Sequence, residues 1–176
     1  MQNLARGGLN ADAVRALLTA DNVEFAAGLD LLDTSNTFVA DISDDFDGGS
    51  ITHDSFAQVA GDCSLKITRE LVWGKDRVRP WMTVSDGVNT VRFDQGVFVM
   101  TTPDEKRGED PITYSVTGYD LCHLLQDDIG DTYVVASGTT YLQAVRDVLT
   151  ASGVGSTALL AGDMGSTTLP YTMVWA

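Results

Sequence analysis

Apolar and polar residues alternate along much of the chain, with a period of two that is typical of strands. From Val23 to Leu31 apolar side chains occupy every second position, as in a half-buried strand. Turn residues follow at 33–36, and TFVADI then restarts an extended run. The pattern therefore predicts a β-hairpin near the start of the chain.

Further short runs of strand character follow this hairpin, separated by the turn signals DGGS, WGKDR, SDGVN and PDEKRGEDP. They cover residues 50–52, 62–72, 81–85, 91–100 and 112–118. About seven short strands in succession are typical of an antiparallel sandwich or a small barrel. The fold predicted is mainly β, with a few helices attached.

The helical period appears at both ends of this β region. Residues 10–21 predict a short helix that begins at Asn10, and the residues before it predict a loose arm. YDLCHLLQDD predicts a second helix. SGTTYLQAVRDVLTASGVG predicts a third, which starts at the capping residue Thr140 and stops near Gly153.

These patterns divide the chain into three parts. Residues 1–21 form an arm and a short helix, 22–118 a β domain of sandwich or barrel type, and 119–176 a helical segment with a C-terminal extension. The extension ends on the apolar run YTMVWA, which has to be covered by something. Two interpretations stay open: a strand that pairs with another part of a larger assembly, or a chain cut within a second or discontinuous domain.

The charge excludes one class of partner. Twenty-five acids against eleven bases give a net charge of −14, which repels nucleic acid phosphates and anionic membranes. No stretch resembles a signal peptide or a membrane span, so we expect no membrane association. Cys63 and Cys122 lack metal-ligand spacing and are interpreted as two small buried side chains in a reducing compartment.

Motifs for catalysis are missing from the sequence. It contains no HExxH, GxSxG or GxxxxGK[ST] pattern, so we expect no catalytic residues, no cofactor and no enzymatic activity. Residues 43–54 resemble a calcium loop imperfectly, with Ser43, Asp45, Asp47 and Asp54 as ligands. A solvated acidic turn is the favoured interpretation, so no metal site is predicted and the calcium question is left open.

The stretch VWGKDRVRPWMTV gathers three of the eleven basic residues and two of the three tryptophans. Five residues spaced by two lie on one side of an extended segment: Trp73, Lys75, Arg77, Arg79 and Trp81. Pro80 within it predicts an edge strand or a crossover. We interpret the five as candidate interface residues, since Arg and Trp anchor interfaces. The alternative is a solvated edge whose charges oppose aggregation.

The order of several segments resembles the N-terminal region of tail hub proteins, also called baseplate hub or minor tail proteins, of long-tailed bacteriophages. The resemblance covers residues 22–150. It consists of the Arg-Val-Arg-Pro segment after a strand ending in Trp, the step GVFVMTTP, and the Val-Thr-Gly-Tyr-Asp step that opens a helix.

This resemblance implies a structural protein of the virion tail tip, built around a small β-barrel related to tail-tube subunits. It implies a homotrimeric hub ring that joins the tail tube to the distal tip, with tube, distal tail and spike or fibre-bearing proteins as partners. DNA would pass through the acidic lumen without specific binding, and assembly would occur in the host cytoplasm. A receptor- or carbohydrate-binding β-domain, using exposed Trp and Tyr side chains, is the alternative.

Overall fold

A short helix begins at the predicted capping residue. In this computed structural model, which describes residues 4–54, 61–106, 112–126, 133–154 and 166–175, α1 (Ala11–Leu18) follows Asn10, whose side chain accepts a hydrogen bond from the Ala13 N–H at 2.9 Å. Because the side chain satisfies an N–H that the first turn leaves free, it fixes where the helix starts. Val14 and Leu17 are buried against the sheet.

The N-terminal arm is more ordered than predicted. A β-bridge joins Arg6 to Leu9, and Leu4 and Leu9 pack against the apolar cluster beneath α1. The Arg6 guanidinium lies 5.3 Å from the ring centre of Phe93. From residue 4 onward the prediction of a loose arm is therefore wrong, because its apolar side chains complete a small core.

The strands of the described chain are all paired antiparallel, which confirms the prediction of a mainly β, antiparallel fold. They are β1 (Glu24–Leu32), β2 (Phe38–Asp41), β3 (Phe46–His53), β4 (Gly61–Ile67), β5 (Arg77–Ser85), β6 (Thr90–Asp94), β7 (Phe98–Met100), β8 (Asp104–Lys106), β9 (Thr113–Asp120), β10 (Tyr133–Val135) and β11 (Met173–Trp175). The strand predicted at 91–100 is divided in two, since Gly96 adopts φ +107° between β6 and β7.

One sheet carries most of these strands, in the order β2-β1-β5-β7-β9-β4-β3. β6 pairs with β5 and β8 pairs with β9, beside this main path. Within the described residues β2 and β3 stand at opposite ends of the order, and the sheet does not close into a barrel.

The sheet curls around the larger of its two apolar clusters. Strands from its middle and both of its ends bury side chains in one cluster: Leu29, Leu31, Ile42, Cys63, Leu65, Ile67, Leu71, Val78, Phe98, Met100 and Val116. Ala40 of β2 and Ile51 of β3 pack against the same cluster. Two strands that are farthest apart in the pairing order can share a core only if the sheet bends back on itself.

The predicted turn at DGGS is wrong, because residues 47–50 lie within β3 and pair with β4. Gly48 marks a bulge there, with φ +119°. A methyl group on Gly49 would overlap the backbone oxygen of Ser64. These glycines therefore allow a bulge and a close strand approach, rather than a reversal of the chain.

The two later helical predictions have different outcomes. Asp120 caps a short 3-10 helix at Leu121–Leu125 instead of an α-helix, and its side chain accepts the Cys122 N–H at 2.9 Å. Cys122 is exposed, contrary to prediction, whereas Cys63 is buried in the sheet core. Burial raises the pKa of the Cys63 thiol to about 12.

The third predicted helix is confirmed as α2 (Tyr141–Ala151). Thr140 caps it by accepting the Gln143 N–H at 3.1 Å, and Gly153 follows its end at φ +75°. The apolar C-terminal run does form a strand, β11, but its partner is β10 of the same chain.

Candidate functional site

The basic and aromatic segment forms β5, which lies inside the sheet. β5 pairs with β1 along its whole length on one side, and with β6 and β7 on the other. The prediction that this segment is an edge strand or a crossover is therefore wrong.

Pro80 fits this central position because its missing N–H falls where no ladder bond is needed. Its partner on β1 is Leu29, whose N–H donates to Ser43 Oγ at 3.0 Å and whose carbonyl accepts from the Ile42 N–H at 2.9 Å, both on the side away from β5. The Leu29–Pro80 pair is thus not hydrogen-bonded. On its other side, Pro80 lies between the residues paired with β7 and those paired with β6, and its carbonyl accepts from the Gln95 N–H at 2.8 Å.

Arg77, Arg79 and Trp81 share the outward face of β5, as their spacing predicts. Val78 on the opposite face is fully buried in the sheet core. The register with β1 places the three outward residues opposite Leu32, Asp30 and Gly28.

Asp30 is the centre of an ionic network on this outward face, although it is only 1% exposed. Arg79 donates to one carboxylate oxygen from Nε at 3.0 Å and from Nη2 at 2.6 Å. Arg92 of β6 donates to the same oxygen, and Trp81 Nε1 donates to the other at 3.0 Å. Four donors compensate the cost of burying this carboxylate.

The network is electrically balanced. Burial tends to raise the pKa of Asp30, but the hydrogen bonds and charges of Arg92 and Arg79 outweigh it and hold the pKa below its usual value. Arg92 also binds Asp94 at 2.7 Å, and its guanidinium lies 4.8 Å from the Trp81 ring centre. Two carboxylates thus neutralise two guanidinium groups.

Arg77 makes a separate set of contacts and is only 3% exposed. Its Nη1 donates to Asn36 Oδ1 at 2.6 Å and to the Val154 carbonyl at 3.1 Å, while Nη2 donates to the Gly153 carbonyl. Burial lowers the pKa of Arg77, and the charge of Asp33 opposes this effect. Arg77 therefore joins the chain after α2 to the turn between β1 and β2.

Trp73 and Lys75 precede β5, and the structure does not place them in series with the other three candidates. The Trp73 ring packs against the sheet core, 5.5 Å from the ring centre of Tyr114. Lys75 is exposed in a turn. The interface role of all five residues stays a prediction. Four of them retain accessible surface, whereas Arg77 is buried.

Sequence reasoning missed three residues of these networks. Asp30 binds Arg79, Asn36 binds Arg77, and Arg92 binds Asp30. Asp30 did carry a signal, because an isolated acid within the apolar run GLDLL is rarely buried unless it is paired. Its partners carried none, since Arg92 lies 62 residues farther along the chain. Only strand pairing brings them together.

The acidic segment 43–54 does not form a calcium loop. Residues 43–45 form a 3-10 helix and 46–53 form β3, so successive side chains point to opposite faces instead of converging. Ser43 Oγ is engaged already, donating to Asp41 at 2.5 Å and accepting the Leu29 N–H. The described residues hold no group of three or more His, Cys, Asp or Glu side chains placed to bind a metal ion.

Comparisons with known proteins leave the family open. No protein-family model matches the chain, and no curated protein matches it significantly. Among the described residues, no helix combines the length and the apolar character needed to cross a membrane.

Proposed function

We propose that this protein is a structural subunit of the tail tip of a long-tailed bacteriophage, without enzymatic activity. It associates with itself into a hub ring, a trimer by the resemblance, that joins the tail tube to the distal tip and lets DNA pass. Its further partners are the tube, distal tail and spike or fibre-bearing proteins. The support is the sequence resemblance together with a surface suited to assembly.

One observation carries the assembly proposal: the C-terminal region exposes apolar side chains and has almost no charge. No residue of α2 is buried in the described structure. The exposed apolar residues of this region are Val134, Tyr141, Val145, Tyr171, Met173 and Val174. Residues 133–154 and 166–175 contain one Arg and one Asp, although the whole chain carries −14. Copies of so acidic a chain repel each other least through a neutral apolar surface.

The remaining charge supports a role around DNA. A lumen bordered by carboxylates repels phosphates and lets a duplex slide without being held. Arg79 of β5 and Arg92 of β6 are compensated by Asp30 and Asp94, so they offer no free phosphate site. This distribution of charge favours the passage of DNA and disfavours DNA storage or the recognition of a DNA sequence.

The proposed relation to tail-tube subunits is based on the shape of the sheet. An antiparallel sheet curled around one core, with β2 and β3 as its two borders, is the arrangement that a small barrel would have before closure. We propose that closure is completed in the assembly, where unpaired borders are covered by neighbours.

The alternative of a sugar-binding domain has less support. Such a site uses exposed aromatic rings as platforms, but Trp81 lies under the Arg92 guanidinium and Trp73 lies against Tyr114. Neither tryptophan ring offers a fully open face, and the exposed Tyr141 and Tyr171 belong to the apolar surface proposed for assembly.

Native mass spectrometry and electron microscopy of the purified chain, alone and with tail-tube subunits, test this proposal. We expect a ring with an open channel, and we expect Val145→Asp to dissociate it. Arg146→Asp is the control, because it makes a larger charge change on the polar side of the same helix and leaves the apolar stripe intact. A monodisperse monomer that does not bind tail proteins would contradict the proposal. So would rings that the two substitutions dissociate equally.

A further inference from the structure

An apolar cleft of about 250 Å³ lies between the two arms of the curled sheet. One arm is formed by β1 and β5, and the other by β3 and β4. The lining residues are mainly apolar: Ala27, Gly28, Phe46, Gly49, Ile51, Leu65, Pro80, Trp81, Met82 and Gln95. Since a dry cavity of about 150 Å³ accepts a benzene ring, the cleft has room for one aromatic or two small aliphatic side chains.

The border of this cleft is the first half of β1, which has a neighbour on one side only. β2 pairs with β1 only from Asp30 to Leu32, and the chain then turns away at Ile42 and Ser43. Residues 24–27 are exposed, including Phe25 at 65%. An apolar half-strand that is exposed in this way is a site for pairing with another strand.

The hydrogen-bonding groups of this half-strand face the open side. Leu29 directs its N–H and C=O toward Ile42 and Ser43, and alternate residues of an antiparallel strand repeat this direction. Phe25 and Ala27 therefore direct their N–H and C=O groups away from β5. In the described structure these groups have no backbone partner.

Acidic residues predominate along β1 and β3, two of the strands that line the cleft. The free half of β1, residues 24–28, and the segment 38–53 together contain five carboxylates and neither Lys nor Arg. One of the five, Asp45, forms an ion pair with Arg69 at 3.5 Å. Glu24 and Asp47 are exposed at the two borders and take part in no described salt bridge.

We propose that this cleft binds an extended, basic segment of a partner polypeptide, which adds a strand to the free half of β1. The backbone of the segment forms hydrogen bonds with the N–H and C=O groups of Phe25 and Ala27. One or two of its apolar side chains enter the cleft, and its cations lie against Glu24 and Asp47. This proposal does not depend on the chain being a tail-tip protein.

A partner of different sequence fits better than a second copy of the chain. Three of the eleven basic residues, Arg77, Arg79 and Arg92, are engaged inside the fold. A second copy would also bring its own charge of −14 toward an acidic cleft.

The probe is a fluorescent, acetylated and amidated peptide of sequence Lys-Val-Lys-Val-Thr-Val-Lys, measured by anisotropy against the full chain. We expect saturable binding that weakens with salt, because the exposed charges are screened. The counterpart in which Glu replaces each Lys should not bind. The same peptide with backbone N-methylation at alternate residues should lose affinity if strand pairing holds it.

Ala27→Pro tests the mode of binding. Proline removes the N–H that faces the open side and no ladder bond to β5, so the protein should keep its unfolding temperature and lose about tenfold in peptide affinity, the loss expected for one backbone hydrogen bond. Ala27→Ser is the matched control, because it keeps the N–H and nearly the same size; it should bind like the parent.

Charge reversal tests the same site without disturbing the backbone. The double variant Glu24→Lys, Asp47→Lys should bind the basic peptide more weakly and the acidic peptide more tightly than the parent does. This pair decides the question if Ala27→Pro fails to fold. The proposal is overturned if the basic peptide does not bind at millimolar concentration, if both peptides bind equally, if the charge reversal has no effect, or if the cleft is filled by a second copy in the oligomer.

Discussion

Arg79 and Asp30 lie side by side on β5 and β1, with the Arg79 Nη2 2.6 Å from a carboxylate oxygen, although 49 residues separate them in sequence. Strand register alone creates this contact. Arg92 and Trp81 also donate to Asp30, so the four side chains link β1, β5 and β6 on the outward face of the sheet.

Replacing Asp30 by Asn should destabilise the fold by about 2–4 kcal/mol, because it leaves two guanidinium groups beside a neutral buried side chain. The loss of stability is limited because both arginines are partly exposed and water screens their charges. Urea unfolding followed by circular dichroism measures it. The control is Asp94→Asn, which alters an exposed member of the same network and should cost less than about 1 kcal/mol. Equal losses for the two variants would show that Asp30 is not the centre.

The contribution of Asp30 should also depend on pH. Its pKa in the folded protein lies below the ordinary value of 3.8, so its stabilisation is present above that value and is lost as the pH falls through the lowered folded pKa. The stability difference between the parent and Asp30→Asn should therefore be constant near neutrality and shrink below about pH 4. Unfolding curves of both proteins between acid and neutral pH measure this, and a difference that persists unchanged in acid would be inconsistent with the network.

Arg77→Lys should loosen the C-terminal region without unfolding the sheet. Lysine cannot reach Asn36, Gly153 and Val154 together from one planar group, so we expect a loss of about 1.5–3 kcal/mol. Hydrogen exchange should accelerate in residues 133–154 and remain slow in β4. Uniform acceleration across the chain would contradict this local role.

Asn36→Gly is the matched control for Arg77. It removes the oxygen that accepts from Arg77 and the amide group that donates to the Val154 carbonyl at 3.2 Å, but glycine adopts the φ of +62° at this position without strain. We expect a cost below about 1 kcal/mol, since the two opposing effects partly cancel.

Gly49→Ala should destabilise the protein by about 1–3 kcal/mol, because its methyl group overlaps the backbone of β4 and the strands have to separate. Ser50→Ala, at the next and exposed position, should be nearly neutral. Thermal unfolding of the two variants tests the close approach of β3 and β4 at residue 49, and equal stability of the two variants would contradict it.

Elements whose causes lie within a few residues could be predicted from the amino-acid sequence. Asn10 and Thr140 cap helices where predicted, because the side chain and the N–H that it binds lie within three residues. The antiparallel β class followed from the two-residue period, and β1 with its turn and β2 formed the predicted hairpin.

The identity of neighbouring strands, and with it the character of the basic segment, emerges only in the folded sheet. Pro80 indicated an edge, but a non-hydrogen-bonded register position opposite Leu29 admits proline inside the sheet. Arg77 and Arg79 looked like free cations, yet Asn36 and Asp30 reach them across 41 and 49 residues. Pairing over such distances depends on register, which no local pattern of residues specifies.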